Sequence, residues 1–227
     1  MKLKVCGMKY QENIKDVTAL QPDYLGYIFY EKSPRNFEGD IPNIPDHIKK
    51  TGVFVNATID FVLEKIQQYD FKAVQLHGNE SVAYCHELKA AIEQLGKELS
   101  IKLWKVFSIK DEFDFSRLTP YESIVDCFLF DTKGKEKGGN GYTFDWRVLN
   151  NYPSTKPFIL SGGIGLEEIE SISSFLDKPV SKFLYAIDVN SKFETAPGLK
   201  NIQQLKEFKK QLFTDSFLND EIATNNE

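Results

Sequence analysis

The sequence has few cysteines, no long apolar run and no surplus of positive charge. Its three cysteines, Cys6, Cys85 and Cys127, show no short metal-binding or disulfide spacing, which is typical of free thiols in a reducing compartment. No run approaches the roughly 18 apolar residues that a membrane-spanning helix needs. Because the net charge is -5, a broad nucleic-acid-binding surface is not expected.

What is present fits an ordinary globular protein of 227 residues, with 41% hydrophobic and 27% charged residues. Residues Met1 to Gly7 enter a strand pattern directly, without the basic and apolar stretches of a secretory signal, so we expect a cytoplasmic protein. A local cationic pocket for a small anion is compatible with the charge. We therefore expect a small-molecule partner and no nucleic acid or membrane partner.

Short runs of branched and aromatic residues recur along the chain and predict eight strands. The runs are nearly continuous in apolar residues, as expected for a parallel sheet that is covered by helices. They are Leu3 to Cys6, Tyr24 to Tyr30, Gly52 to Asn56, Ala73 to His77, Ile101 to Phe107, Cys127 to Asp131, Phe158 to Ser161 and Phe183 to Val189. A doubly wound open sheet would usually need fewer strands.

Helical periodicity alternates with these strands, most clearly near residues 59–66, 82–95 and 202–212. Eight strand and helix units in about 210 residues predict an α/β fold, a single (β/α)₈ TIM barrel. Pro42 and Pro45 indicate an irregular connection after the second strand. We expect one catalytic domain over residues 1–212, followed by a polar tail over residues 213–227 that frays.

In a (β/α)₈ barrel the active site lies at the carboxyl ends of the strands. Polar residues follow nearly every apolar run of this sequence. They are Cys6, the loop around Arg35, Asn56, His77, Asp131, Ser161 with Gly162 and Gly163, and Asp188 with Asn190 and Ser191.

The glycines Gly162 and Gly163 follow the seventh strand and precede a helix predicted to begin at Leu166. Backbone amides without side chains, at the positive end of a helix, can bind phosphate, and the loops after strands seven and eight often do so in this fold. A tight turn that needs glycine is the alternative. A second glycine-rich loop, residues 134–141, is either a mobile lid or an ordinary solvated loop.

Asp131 and Cys6 are the candidate catalytic residues. A carboxyl partly withdrawn from water, as expected for Asp131 after three apolar residues, is more easily kept protonated and can act as a general acid. Cys6 becomes a usable base or nucleophile if nearby cations or backbone amides lower the thiol pKa. Considered separately, Asp131 could be a loop-anchoring carboxylate and Cys6 a buried apolar residue.

Arg35, in a loop stiffened by Pro34, carries a fork of donors suited to a carboxylate, although a surface ion pair is an equal alternative. His77 either binds substrate or orients a neighbour, or is structural.

Together these motifs resemble the phosphoribosylanthranilate isomerase family over about residues 2–212. The matching segments are Lys4-Val5-Cys6-Gly7, Gly26-Tyr27-Ile28-Phe29 with Ser33-Pro34-Arg35, Gly52-Val53-Phe54-Val55-Asn56, Val74-Gln75-Leu76-His77-Gly78, Phe130-Asp131-Thr132, Gly138-Gly139-Asn140-Gly141 with Phe144-Asp145-Trp146, Leu160-Ser161-Gly162-Gly163, and Asp188-Val189-Asn190-Ser191 with Phe193-Glu194 and Pro197-Gly198.

The resemblance implies an Amadori rearrangement of N-(5-phosphoribosyl)anthranilate in tryptophan biosynthesis, without metal or organic cofactor. By the family pattern Asp131 protonates the furanose oxygen and Cys6 removes the C2 proton. Arg35 holds the anthranilate carboxylate. The amides around Gly162 and Gly163 and the loop from Asp188 to Ser191 hold the phosphate of this phosphosugar substrate. The protein is then expected to be a monomer or a homodimer.

The sequence departs from the family at Lys192, where glycine is common, and at Asn201, where an acidic residue is frequent. An indoleglycerol-phosphate synthase or a sugar-phosphate epimerase is the rival enzyme, but the first should show a strand-end lysine and the second metal-binding residues. A non-catalytic phosphosugar-binding module on the same scaffold is the alternative from another class.

Overall fold

Eight parallel strands form a closed barrel in the computed structural model, which describes residues 1–96, 100–110, 112–132 and 145–223, with side chains through residue 213. Each strand pairs with the next, and the eighth closes the barrel on the first. The strands are β1 (Lys2–Val5), β2 (Tyr24–Phe29), β3 (Lys49–Phe54), β4 (Ala73–Leu76), β5 (Lys102–Ile109), β6 (Cys127–Thr132), β7 (Phe158–Leu160) and β8 (Leu184–Val189). The predicted fold is confirmed.

Two strands extend two or more residues past their predicted bounds because most of their extra residues are polar, and the other six differ by one residue at one or both ends. β3 begins at Lys49 rather than Gly52, and Lys49 pairs with Tyr24 at the amino end of the barrel. β5 continues beyond Phe107 to Ile109, where the exposed Ser108 pairs with Asp131 of β6. Backbone pairing therefore extends both strands past the hydrophobic runs by which they are recognised.

In the described ranges, five α-helices cover the barrel: α1 (Gln11–Ala19), α2 (Ile59–Tyr69), α3 (Val82–Leu95), α4 (Ile169–Leu176) and α5 (Ile202–Ala223). The side chains of Thr58 and Ser81 cap α2 and α3 by accepting hydrogen bonds from backbone amides. The segment between β2 and β3 contains no helix, as its prolines predict. Short 3₁₀ helices, Phe115–Tyr121 and Trp146–Asn151, lie after β5 and β6.

Side chains alternate between the two faces of each strand, so the barrel has one core outside the sheet and another inside it. On β6, Phe128 and Phe130 pack in the outer core with the helices, whereas Cys127 and Leu129 belong to the inner core. Asp131 continues the inner series at the carboxyl end of the strand. This alternation aims polar strand-end residues into the mouth of the barrel.

A small hairpin of β9 (Glu194–Ala196) and β10 (Leu199–Lys200) connects the barrel to α5. The helix α5 continues to Ala223, past the predicted domain boundary at residue 212, and the division into a domain and a fraying tail stays a prediction. The predicted lid, residues 134–141, lies outside the described residues. None of the helices in the described part of the chain has the length and apolar character that a bilayer crossing requires.

Candidate active site

A cavity of about 640 Å³ opens at the carboxyl ends of the strands, and the nine residues predicted to have a catalytic or substrate-binding role line it. They are Cys6, Arg35, His77, Asp131, Gly162, Gly163, Asp188, Asn190 and Ser191. Asn56 does not belong to this set, because its side chain accepts a hydrogen bond from the backbone of Asn79 at 2.7 Å and shapes the neighbouring loop. The expectation that site residues lie at strand ends thus finds one site, built from the carboxyl ends of six strands.

Cys6 lies directly after β1 and is buried, with its amide donating to the carbonyl of Val189 on β8 at 2.8 Å. Burial raises the pKa of the Cys6 thiol, and the ammonium of Lys4 only partly opposes this. The condition that nearby cations or backbone amides lower this pKa is therefore not met, because the net direction is upward. The cation is present, but the loss of water outweighs it.

Lys4 points into the barrel beneath Cys6 and is fully buried. Its ammonium donates to both carboxylate oxygens of Asp188 at 2.9 Å. Burial pushes the pKa of Lys4 down, but Asp188 and Cys6 outweigh that effect and the net pKa is raised, so the lysine is charged at neutral pH. Asp188 also accepts a 3.4 Å hydrogen bond from Ser161. Its predicted contribution to phosphate binding stays a prediction.

Asp131, at the end of β6, faces the imidazole of His77, with 3.2 Å between Oδ2 and Nε2. The other ring nitrogen of His77, Nδ1, lies 3.2 Å from the side-chain amide nitrogen of Gln75, which is on β4 two residues earlier. Since Gln75 donates to Nδ1, the proton of a neutral His77 is on Nε2 and points at the Asp131 carboxylate. The carboxyl group is thus held in a fixed direction within the cavity.

The loop after β7 reaches Asp131 through Gly162. Gly162 and Gly163 have φ of +89° and +71°, a left-handed conformation that favours glycine. A Cβ on Gly162 would lie 2.6 Å from Oδ1 of Asp131 and 2.4 Å from the amide of Thr132. The predicted helix at Leu166 begins as a 3₁₀ turn, and the side chain of Glu168 already accepts the Gly165 amide at 2.6 Å. Phosphate binding at this loop therefore depends on the amides before Gly165.

Arg35 lies on the opposite side of the mouth, in the loop after β2. Its guanidinium donates to the Glu194 carboxylate through Nε at 2.9 Å and Nη2 at 2.6 Å. Asn190 accepts a 2.6 Å hydrogen bond from Lys200, and Lys192 also lines the cavity. A Cβ on Gly7 would lie 2.5 Å from Oδ1 of Asn190, so the backbone after Cys6 packs closely against the β8 loop.

Three residues that shape this site were not predicted. Lys4 and Gln75 each lie two positions before a predicted site residue, and the two-residue period of a strand places them on the same face. That period is a signal that could have found both. Glu194 contacts Arg35 from 159 positions away in the sequence, so no local pattern could show the pair.

No group of three or more His, Cys, Asp or Glu side chains within the described ranges has the arrangement of a metal site. The donors at the cavity are instead a thiol, a carboxyl, an imidazole, a guanidinium and glycine-loop amides. This set is suited to proton transfer and to the binding of anions.

Comparison with known proteins agrees with this chemistry. The model of the family described as N-(5'phosphoribosyl)anthranilate (PRA) isomerase matches residues 3–211. Relatives named N-(5'-phosphoribosyl)anthranilate isomerase include one from Parabacteroides distasonis, 42% identical over 93% of each chain. Another, from Phocaeicola vulgatus, is 37% identical over 93% of this chain and 98% of its own.

Solved structures are similar as well. The phosphoribosyl anthranilate isomerase of Thermotoga maritima superposes with a TM-score of 0.77 at 30% identity, over 93% of this chain and 98% of that one. A complex of such an isomerase with reduced 1-(o-carboxyphenylamino)-1-deoxyribulose 5-phosphate has a TM-score of 0.72 at 26% identity over the same shares. With the family model spanning the whole barrel, the chain belongs to the phosphoribosylanthranilate isomerase family.

Proposed function

We propose that Asp131 and Cys6 are the general acid and general base of this chain's isomerase reaction. As a member of its family, the chain rearranges N-(5-phosphoribosyl)anthranilate into 1-(2-carboxyphenylamino)-1-deoxyribulose 5-phosphate, a step of tryptophan biosynthesis. The observation that carries the assignment is that both residues line one cavity, together with a cation and a glycine loop for the two anionic ends of the substrate.

The first step needs a proton on the furanose ring oxygen. Asp131, in its protonated form, donates this proton while the nitrogen lone pair forms a double bond to C1 and the C1–oxygen bond breaks. His77 keeps the carboxyl directed into the cavity, and the absence of a side chain at Gly162 leaves Oδ1 room to approach the substrate. The product of this step is an open-chain protonated imine (an iminium ion).

The second step removes the proton from C2, and the electron pair moves into the C1–C2 bond to give an enolamine. Cys6 accepts this proton as a thiolate. Burial makes the thiolate less populated at neutral pH but a stronger base, and the charged Lys4 stabilises it. The enolamine then takes a proton at C1 and gives up the proton of its C2 hydroxyl, which yields the ketone, so no atom is gained or lost overall.

The two ends of the substrate carry negative charge. We place the anthranilate carboxylate at Arg35 and the phosphate at the amides of Gly162 and Gly163, with Asn190 and Ser191 on the β8 loop. Lys192 lines the same end of the cavity and adds a positive charge there. The carboxylate of Asp188 is bound to Lys4, which favours a role in holding that lysine and only a backbone role toward phosphate.

We place this reaction in the cytoplasm, because Cys6, Cys85 and Cys127 are all free thiols. The substrate itself is the partner that the cavity fits, and neither a cofactor nor a nucleic acid enters the proposed steps. The chain acts as a monomer or as a homodimer.

The disappearance of phosphoribosylanthranilate fluorescence tests the assignment. The variants Cys6→Ala and Asp131→Asn should each lower kcat by roughly 10²- to 10⁴-fold, with a much smaller change in KM. Cys85→Ala is the matched control, since Cys85 is a buried thiol outside the cavity, and it should keep the wild-type kcat. Wild-type turnover by Cys6→Ala would return Cys6 to a packing role.

A further inference from the structure

The carboxylate of Glu194 lies behind Arg35 and outside the cavity lining. Both of its oxygens accept hydrogen bonds from the protein. It is only 5% exposed. Besides the bonds from Arg35, its Oε1 accepts the Gly198 amide at 3.0 Å and the Lys200 ammonium at 2.7 Å. So many donors fix the carboxylate in one orientation, and through it the guanidinium that it holds.

Glu194 binds one edge of the Arg35 guanidinium, and only the other edge can bind a second carboxylate with two parallel hydrogen bonds. The hydrogen bonds run from Nε and Nη2, which together form the side edge of the group. The end edge, formed by Nη1 and Nη2, is the second place where two parallel N–H bonds can bind a planar carboxylate. Arg35 lines the cavity and Glu194 does not, so the end edge is the pair of N–H groups that Glu194 leaves for a carboxylate bound in the cavity.

Lys200 keeps Glu194 from cancelling the charge of Arg35. This lysine is fully buried, and its ammonium contacts Glu194 and also Oδ1 of Asn190 at 2.6 Å. One carboxylate between two cations leaves one positive charge in excess. Burial works against ionisation of Glu194, but Arg35 and Lys200 outweigh it and hold its pKa below the usual value.

We propose that Glu194 is a positioning residue that, with Lys200, aims the end edge of Arg35 into the cavity and so determines specificity for a substrate bearing an aromatic carboxylate. This inference rests on the proposed function, because it assumes that Arg35 receives the anthranilate carboxylate. It adds the residue pair that makes the arginine selective for this group. Lys200 further connects the carboxylate end to the β8 loop at the phosphate end, through Asn190.

The test uses calorimetry to compare the affinities of the protein for two ligands. One is reduced 1-(o-carboxyphenylamino)-1-deoxyribulose 5-phosphate, and the other is the same compound without the carboxyl group. Wild type should bind the first roughly 10- to 100-fold more tightly, as charge-assisted hydrogen bonds predict. Glu194→Gln, which keeps size and one acceptor, should reduce this ratio to within about threefold of unity while the second ligand binds as before.

The variant Arg35→Ala distinguishes a failure of the proposed carboxylate site at Arg35 from a failure of the positioning role of Glu194. If this variant also loses the preference for the carboxylated ligand, the carboxylate site is at Arg35. The effect of Glu194→Gln then reports on how Glu194 positions that arginine. If Arg35→Ala keeps the preference, the proposed carboxylate site is wrong. If Arg35→Ala loses the preference but Glu194→Gln keeps it, the proposed function stands and the positioning role fails.

Two further variants exclude a merely structural effect. Asp145→Asn removes a side-edge carboxylate from Arg147, an exposed arginine outside this cavity, and should leave the preference unchanged. Lys200→Met leaves Glu194 with Arg35 alone, so the arginine charge is neutralised and the preference should fall as well. Tighter binding of the carboxylated ligand by Glu194→Gln would overturn the proposal, because Glu194 would then be a competitor for Arg35.

Discussion

Among the described residues, two buried lysine–carboxylate pairs have their lysine on a barrel strand, and they differ in what surrounds them. Lys4 lies 2.9 Å from Asp188, and Lys105 lies 3.0 Å from Glu80. All four side chains are nearly inaccessible to water. By burial and distance alone the two pairs are equivalent.

Their remaining contacts separate them. Lys105 also donates to the carbonyl of Gly78 at 3.0 Å, and Glu80 accepts the amides of Asn56 at 2.8 Å and Gly78 at 3.0 Å. That pair holds the loops after β3 and β4 to the barrel. Lys4 instead faces the Cys6 thiol, and Asp188 lines the cavity. The comparison indicates that neighbours, rather than the ion pair itself, decide whether a buried charge serves folding or chemistry.

The largest expected effect is on stability. Lys4→Met and Lys105→Met should each lower the free energy of unfolding by about 3–5 kcal/mol, because each leaves a buried carboxylate without its cation. Urea denaturation measures this loss. Turnover by the folded fraction should then differ: Lys4→Met should lose kcat, whereas Lys105→Met should keep it.

The comparison would break if Lys105→Met, corrected for its folded fraction, lost as much kcat as Lys4→Met. Both lysines would then act only through the stability of the barrel. Equal stability losses with unequal kcat would instead confirm that the thiol is what makes Lys4 different.

The sequence was sufficient for the parts of the site that follow from strand ends. Asp131 and His77 come directly after apolar runs, and the barrel geometry brings such residues together whatever their spacing. The direction of the Cys6 pKa was not predictable in this way. It depends on how far burial outweighs one cation, and residue identity does not contain that balance.

Long-range pairing was the other limit. Arg35 and Glu194 are brought together by a hairpin after β8 whose position depends on the whole barrel. The short helices after β5 and β6 could not be predicted from hydrophobic periodicity either. Phe115–Tyr121 and Trp146–Asn151 are 3₁₀ segments too short to show a helical period. The irregular segment between β2 and β3, in contrast, could be read from its prolines.

A smaller loss of stability is expected when either of two glycines is replaced by alanine. Gly26 lies beside the Lys4–Asp188 pair and Gly78 beside the Lys105–Glu80 pair. A Cβ on Gly26 would lie 2.8 Å from the Cys6 sulfur and 3.2 Å from the Lys4 ammonium. A Cβ on Gly78 would lie 2.6 Å from the Glu80 carboxylate. Alanine at either site should cost about 1–3 kcal/mol of stability through overpacking, again measured by urea denaturation.

The two alanine variants should differ in turnover. Gly26→Ala displaces the thiol from its place above Lys4, so kcat should fall beyond the loss of folded protein. Gly78→Ala moves a carboxylate that lies outside the cavity lining, so kcat should be retained. Unchanged kcat in Gly26→Ala, with the expected stability loss, would show that the thiol position is not critical.

The smallest effect is a displacement of the pH profile. A catalytic base acts when deprotonated, and burial raises the pKa of Cys6, so its thiolate fraction, followed by the rate of Cys6 alkylation, should still be rising with pH at the usual thiol value of about 8.5. Asp188 raises this pKa further, while Lys4 and Lys200 lower it. Lys200 itself has a pKa lowered to about 8, chiefly by burial, so Lys4 is the cation that persists at alkaline pH.

Removing that cation should therefore move the alkaline rise of the Cys6 alkylation rate to higher pH in Lys4→Met. Lys105→Met should have the wild-type profile, because its charge faces Glu80 and backbone carbonyls. Alkylation occurs at the thiolate, so a displacement between the three profiles reports on the thiol itself. Coincident profiles for Lys4→Met and wild type would mean that Lys4 does not stabilise the thiolate, and the two lysine pairs would then be alike in function as well as in form.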